Sequence, residues 1–229
     1  MLAHAVRIPC DTVICALFPL SPERNGNSDP KPLESKRETA MNDLPETPHP
    51  VDLLMDEHEV ILQVLLAAER ESFELQSGAA LQSEFWLGVA DFLAEYADRG
   101  HHAKEEEQLF PALIAQGMDA QQGPIAVMLH EHDQGRALLR DLRTGIADND
   151  AGAVAKSAAA FAFLLRDHIQ KENMILFEMA RSMLPADVAR EMSAKFVEAK
   201  HADRDWMTVA RELCAHAGVE FELKLRSFR

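Results

Sequence analysis

Two ten-residue stretches of this chain carry one pattern: residues 101–110 read HHAKEEEQLF and residues 168–177 read HIQKENMILF. Both fit H-x-x-K-E-x-x-x-L-F without a gap. A histidine and a glutamate four residues apart lie one turn apart on the same face of an α-helix, so one imidazole and one carboxylate can reach a single small site. The repeated spacing predicts two helices that each present a His and a Glu to one interior.

A shorter repeat precedes each of these stretches. Glu57-His58-Glu59 comes before the first, and Glu131-His132-Asp133 comes before the second. Each short repeat falls in a separate helical segment from the long one that follows it. The order of the four segments therefore predicts a duplicated helical hairpin, with one histidine site on every helix.

The chain from residue 51 onward has the composition and spacing of helices. Ala, Leu, Glu, Arg and Met dominate, and apolar residues recur three and four positions apart. No segment alternates Val, Ile and Thr as a strand would. We predict an all-α fold, an up-down-up-down antiparallel four-helix bundle with an additional C-terminal helix. The helices are expected over about 51–76, 80–116, 122–146, 151–183 and 186–216.

The two ends of the chain differ from this middle part. Eight of the eleven prolines lie in the first fifty residues, among polar residues, which predicts a disordered N-terminal extension over 1–49. Met41 offers an alternative start. The bundle is expected over 50–184, followed by a C-terminal helical extension over 185–229 that could contact a protein partner not identified by the sequence.

Composition excludes several classes of function. With 38 acidic and 23 basic residues the formal charge is -15, so nucleic acid would be repelled. No run reaches the ~18 to 20 apolar residues of a membrane span. Three cysteines without a Cys-x-x-Cys pair favour neither a disulfide framework nor a thiolate zinc site, which points to the cytoplasm.

Counting residues from each predicted turn places one histidine of every helix at the same level of the bundle. In an antiparallel hairpin, residues equally distant from the turn stand at equal height. Six imidazole and carboxylate donors then meet in one layer. They are His58, His101, Glu105, His132, His168 and Glu172.

Such a donor set suits first-row transition metals. Two ions could each take two histidines and share Glu105 and Glu172 as bridges, which leaves coordination positions open for a small molecule. One turn from His132 lie Met128 and Arg136, with Gly135 beside them. We expect a small, mostly apolar pocket suited to a diatomic molecule or peroxide.

The other histidines and acidic residues are interpreted as ordinary. Surface positions are expected for His4, His49, His201 and His216. On an α-helical wheel His102 and His130 point about 100° and 200° away from the proposed ligands, which favours surface or supporting roles. Solvated helix charges are expected at Glu106, Glu107 and Glu131, although Glu106 could serve as an extra ligand.

These motifs resemble the hemerythrin-like, or HHE cation-binding, family. Residues 101–111, 123–133 and 167–173 are similar to its motifs, and the resemblance covers about residues 50–184. It implies a four-helix bundle that holds a non-haem di-iron centre, two iron ions joined by an oxo or hydroxo group. The implied iron ligands are the same six residues that the counting gave.

The chain also departs from relatives of known role. Oxygen-carrying hemerythrins have two histidines one turn apart on the third helix, whereas this chain has His132 and Arg136 there. That difference argues against simple reversible oxygen transport. Related iron-sulfur repair proteins carry an N-terminal Cys-Cys domain, which the sequence from Cys10 to Cys15 does not reproduce.

The sequence leaves more than one function open. The leading hypothesis is a di-iron protein that binds or reacts with oxygen, peroxide or nitric oxide in sensing or stress defence. An alternative is a non-catalytic iron-binding or iron-sensing module, in which the metal stabilises the bundle. Further alternatives are iron-sulfur cluster repair and a purely structural helical protein. The sequence does not decide whether the protein is an enzyme.

Overall fold

The computed structural model describes residues 47–199 and 204–226, and these residues form helices and no strand. Four long helices build the bundle, and the predicted all-α class is confirmed. The first is α1 (Pro50–Gln76), and the third is α4 (Pro124–Ala147). The second, over 83–115, is continuous through α2 (Ser83–Phe92), π1 (Leu93–His102), π2 (Glu105–Leu109) and α3 (Phe110–Ala115). The fourth, over 151–183, comprises α5 (Ala151–Lys171), π3 (Glu172–Leu176) and α6 (Phe177–Met183).

Contacts between α1 and the fourth helix show that they run antiparallel. Near the end of α1 the Ser72 hydroxyl donates to the Ala155 carbonyl at 2.8 Å. Near its start Asp52 accepts from Arg181 at 2.5 Å. Residue numbers thus rise along one helix as they fall along the other, as the up-down order requires.

The second and third helices are joined in the same way. Arg143 binds Asp91 at 2.9 Å, and Arg136 binds Glu106 at 2.6 Å. The number along α4 falls as the number along the second helix rises. These pairs fix the level at which the histidines of the two helices meet.

Local sequence signals set the helix ends. Proline stands at the first position of α1 and of α4, where its missing N–H costs no hydrogen bond. Gly123, just before α4, has φ of 76°, a conformation that glycine adopts without strain. The side chain of Asp150 caps α5 by accepting from the Ala153 N–H at 2.9 Å.

The interior consists of two apolar clusters separated by a polar layer. The larger cluster includes Trp86, Phe92 and Leu142, and the smaller one includes Phe110 and Phe177. On each bundle helix the predicted ligands lie between residues of the two clusters. Apolar packing on both sides therefore holds the polar layer in the middle of the bundle.

The described residues after 185 form two helices, which corrects the prediction of one helix over 186–216. They are α7 (Ala186–Glu198) and α8 (Trp206–His216). The missed signal is Asp205, whose carboxylate accepts from the N–H groups of Met207 and Thr208 at 3.1 Å each and so starts a new helix. The α7 helix packs on the smaller cluster through Phe196, while α8 packs on the larger one through Leu213.

After α8 the chain turns back along α1. Arg70 donates to the Gly218 carbonyl at 2.7 Å, and the Arg226 N–H donates to the Asp56 carboxylate. Between these two points Phe221 and Leu223 pack against the larger cluster. Residues 218–226, here called the C-terminal segment, thus follow α1 back to the level of the histidines.

Several sequence predictions fall on residues that the structure does not describe. The predicted N-terminal extension lies outside the described residues except for 47–49. His4, Cys10, Cys15 and His201 lie outside them as well. In the part of the chain that is described, no helix is both long and apolar enough to cross a membrane.

The close crossing of α4 and α5 at Gly145 predicts opposite effects for two glycine substitutions. A Cβ at Gly145 would lie 3.1 Å from the backbone nitrogen of Val154, which cannot move aside, so Gly145→Ala should lower the free energy of unfolding by about 1 to 3 kcal/mol. The exposed Gly152 has room, and Gly152→Ala should raise it by about 0.5 to 1 kcal/mol. Urea titration measures both, and equal effects would contradict the close crossing.

Candidate metal centre

All six residues predicted from the sequence converge in the polar layer. The first lies on α1, the next two on the second helix, one on α4 and two on the fourth helix. They are His58, His101, Glu105, His132, His168 and Glu172, each no more than 1% exposed. Because ionisable groups are rarely buried without partners, the cost of removing these side chains from water must be offset by hydrogen bonds or by a bound ion.

The donor atoms form two overlapping groups that could each hold a metal ion. In each group the ligand atoms all lie within 4.8 Å of one another. One group consists of His58, His101, Glu105 and Glu172, and the other of His102, Glu105, His132 and His168. Glu105 belongs to both groups, so the two sites are neighbours.

The Glu105 carboxylate spans the two groups. Its Oε1 lies 3.5 Å from Nε2 of His101, and its Oε2 lies 3.5 Å from Nε2 of His132. Each oxygen thus faces an imidazole of a different helix. A carboxylate in this orientation can bridge two ions.

Glu172 also contacts histidines of both groups. Its Oε2 lies 3.2 Å from Nε2 of His58 and 3.3 Å from Nε2 of His168. Two neighbouring donors on one ion at about 2.0 to 2.2 Å stand roughly 3.0 to 3.5 Å apart. The donor separations therefore have the size that metal coordination requires.

Unsatisfied polar atoms are concentrated in this layer. Among the described residues nine buried side-chain nitrogen and oxygen atoms lack a hydrogen-bond partner, and seven of them belong to the cluster. They include both oxygens of Glu105 and of Glu172, and Nε2 of His58 and His101. Leaving such atoms unpaired is costly, whereas a cation would bind them all. The donor set fits metal ions.

Each of the four histidines is oriented by a hydrogen bond on its outer nitrogen. The acceptors are three carboxylates and one amide oxygen, and each fixes the ring so that Nε2 faces the interior. The Nδ1 pairs are His101 with Glu57 at 2.9 Å, His132 with Glu106 at 2.7 Å, His168 with Glu131 at 3.1 Å and His58 with Asn173 at 2.9 Å.

The lysine of the repeated motif completes this arrangement. Lys104 binds the Glu57 carboxylate, and Lys171 binds the Glu131 carboxylate in the equivalent position. Each lysine therefore holds the acceptor that orients the histidine three residues before it. The matching contacts extend the sequence repeat to an internal structural repeat.

Two acidic residues thus differ from their predicted roles. Glu106 and Glu131 were expected to be solvated helix charges, but each is largely buried and binds an imidazole. Sequence reasoning also missed Glu57 and Asn173 as acceptors. The signal was the repeat itself, since Glu106 and Asn173 occupy the same position in the two long stretches.

A π-helical turn follows each glutamate of the repeat. The Phe110 N–H donates to the Glu105 carbonyl and the Phe177 N–H to the Glu172 carbonyl, five residues back in both cases. These turns, which often occur at functional sites, bring the phenylalanines beside the histidines. The Phe177 ring stacks on His58 with centroids 5.5 Å apart. Both phenylalanine rings are buried.

His102 is buried in the cluster, which corrects its predicted direction. Only 5% of it is exposed, and its ring stacks on His132 with centroids 3.9 Å apart. The 100° step used in the prediction holds for an α-helix, but π1 has five-residue hydrogen bonds and a wider turn. The angle between successive side chains around the helix axis is smaller in such a segment, so His101 and His102 both face inward. His130 is exposed, as predicted.

The pKa values of the two buried carboxylates are shifted in opposite directions. Burial and the neighbouring carboxylate of Glu172 raise the pKa of Glu105 well above its usual range. Burial opposes the ionisation of Glu172, but His168 and His58 outweigh it and place its pKa well below its usual range. Because a metal ion binds the ionised carboxylate, a cation that takes both glutamates would act against the upward shift of the Glu105 pKa.

A small cavity adjoins the group that contains His132 and His168. The cavity volume that is available to a water-sized molecule is about 20 Å³. Its walls are mostly apolar and include Gly135, Leu139, Phe161 and Leu165. Of the residues predicted near the pocket, Gly135 and Arg136 line it, whereas Met128 belongs to the smaller apolar cluster.

The fold and the buried His and Glu layer define a helical bundle that binds cations. The Hemerythrin HHE cation-binding domain model matches residues 49–180, and the chain belongs to this family. This confirms the resemblance found in the motifs. No solved structure matches the chain.

The curated relatives that match are named iron-sulfur cluster repair proteins. YtfE of Musicola paradisiaca is 30% identical over 165 residues, 67% of this chain and 72% of that protein. YtfE of Pectobacterium atrosepticum is 40% identical over 103 residues, 41% of this chain and 47% of the relative, so this match spans about half of that relative. DnrN of Neisseria gonorrhoeae is 39% identical over 101 residues, 39% of this chain and 63% of its own length.

The hydrogen bond from His168 to Glu131 predicts a measurable effect on cation affinity. Glu131→Gln removes the charge that orients His168 and should weaken cation binding by about 10- to 100-fold. Glu107→Gln, an exposed change of the same kind, is the control and should bind as the original chain does. Titration against a competing chelator gives both affinities, and equal values would contradict the orienting role.

Proposed function

We propose that this chain holds two iron ions and uses them to bind or react with oxygen, peroxide or nitric oxide in stress defence. The ligands are His58, His101, Glu105, His132, His168 and Glu172. The observation that carries the proposal is the pair of overlapping donor groups that share Glu105. Imidazole and carboxylate together suit iron, and the names of the relatives favour it over other first-row metals.

Two irons held by these residues would supply electrons and open coordination positions to a small molecule. The protein determines what can reach them. The two apolar clusters exclude bulk water from the layer, and the cavity beside His132 admits only a molecule of a few atoms. We therefore propose a diatomic molecule or peroxide as the partner, with neither nucleic acid nor a membrane involved.

The charge around the cavity favours a neutral molecule. Arg136 lines it, but its guanidinium donates to Asp98 at 2.9 Å, to Glu106 at 2.6 Å and to Asp133 at 3.2 Å. Three carboxylates thus more than balance its single positive charge, so the cavity presents no free cation to an anionic molecule. Oxygen, nitric oxide and hydrogen peroxide are uncharged at neutral pH and meet this requirement.

Repair of iron-sulfur clusters is the second candidate. The observation that favours it is the name that these relatives share, and they match this chain over 39–67% of its length. In that case the centre would release iron to a damaged cluster. Incubation of the iron-loaded protein with an enzyme whose cluster has been damaged by nitric oxide tests it, since recovery of that enzyme requires repair.

A non-catalytic iron module is the remaining alternative. It shares the ligands and predicts stabilisation by iron without reaction. Rapid mixing of the reduced protein with oxygen, peroxide and nitric oxide separates it from the leading proposal. A spectrum that stays unchanged with all three would favour the non-catalytic module.

The bridging position of Glu105 and Glu172 predicts the metal content. The original chain should contain about two irons, whereas Glu105→Ala and Glu172→Ala should each retain fewer than about one, since each removes a carboxylate that contacts histidines of both groups. Iron analysis and the absorption spectrum of the aerobic protein provide the measurement. Glu107→Ala is the exposed control. Fewer than one iron in the original chain, with no loss in the variants, would refute the di-iron centre.

The cavity predicts a variant that retains iron but reacts slowly. At Gly135 an added Cβ would lie 3.7 Å from the Phe161 ring, so Gly135→Ala fits while Gly135→Leu fills the cavity. Rapid mixing of the reduced protein with nitric oxide should give a lower rate for the leucine variant and an unchanged rate for the alanine variant. Equal rates at equal iron content would show that the molecule enters by another route.

A further inference from the structure

We infer that His102 is a seventh protein ligand, which gives three histidines to one metal and two to the other. The inference rests on the proposed two-metal centre and adds an asymmetry to it. His102 belongs to the donor group with Glu105, His132 and His168, in which all ligand atoms lie within 4.8 Å of one another.

The inner nitrogen of His102 has the same status as those of the proposed ligands. Its Nε2 is buried and has no hydrogen-bond partner among the described residues, like Nε2 of His58 and His101. Nε2 of His132 and of His168 lie 3.2 Å apart, the separation of two donors on one ion. The His102 ring stacks on His132 with centroids 3.9 Å apart and an interplanar angle of 15°, so the two rings lie face to face and nearly parallel.

The outer nitrogen of His102 is supported as those of the ligands are. Nδ1 of His102 lies 3.4 Å from Asp98, and Asp98 accepts from Arg136 at 2.9 Å. This series of hydrogen-bonded groups, an imidazole, a carboxylate and a cation, repeats the series formed by His168, Glu131 and Lys171. A carboxylate that fixes the outer nitrogen is typical of metal-binding histidines.

The internal repeat shows that this arrangement is confined to one half. His102 corresponds to Ile169 and Asp98 to Leu165, each sixty-seven residues later. Ile169 and Leu165 are buried in the larger apolar cluster. The donor group that holds His58 and His101 therefore lacks a third imidazole, and the two groups differ in their ligands.

The experiment compares the full chain with His102→Phe, which keeps an aromatic ring against His132 but removes the nitrogen. His102→Ile, which copies the other half of the repeat, is the second variant in case the first does not fold. His130→Phe is the control on an exposed neighbour. Each protein is titrated with ferrous iron against a chelator and is also studied by Mössbauer spectroscopy after loading with iron-57.

Loss of a ligand should weaken one of the two sites by more than about 100-fold, beyond the effect of losing an outer hydrogen bond, and leave the other unchanged. The spectrum of one iron should change while that of the second is retained. Two unchanged affinities and spectra in a folded variant would overturn the seventh ligand alone. Fewer than two irons in the original chain would overturn the di-iron proposal as well.

Discussion

The burial of ionised and ionisable side chains in the middle of the bundle is the constraint on which the rest of the structure depends. Glu105 and Glu172 are fully buried beside four histidines that are almost as inaccessible. Carboxylates resist transfer out of water unless opposite charges or hydrogen bonds replace the lost hydration. Apolar packing above and below holds the layer together, while a bound cation would supply the positive charge that the oxygens lack.

The support of the layer is distributed over all four helices. Glutamates on α1 and α4 orient histidines on the second and fourth helices, and Lys104 and Lys171 hold those glutamates in turn. Because each hydrogen bond joins two helices, the interior geometry depends on the register of the bundle. His102 and Asp98, which the repeat replaces by apolar residues in its other half, both line the cavity.

The fold class and the convergence of the six residues could be predicted from the sequence, because helical spacing and distance from the turns determine which residues share a level. The inward turn of His102 could not, since a π-helical segment is not apparent from the apolar pattern. The roles of Glu106 and Glu131 depend on contacts between helices. The break before α8 was accessible through the capping residue Asp205 but was hidden by continuous apolar spacing.

The C-terminal segment brings the last described residues into contact with α1. Its last described residue, Arg226, binds Asp56, two positions before His58, and α8 covers the neighbouring part of α1. Contacts between residues so distant in sequence cannot form until nearly the whole chain has left the ribosome. The first of the described helices is thus among the last to be fully enclosed, and premature metal capture by a nascent hairpin would involve only half of the six proposed ligands.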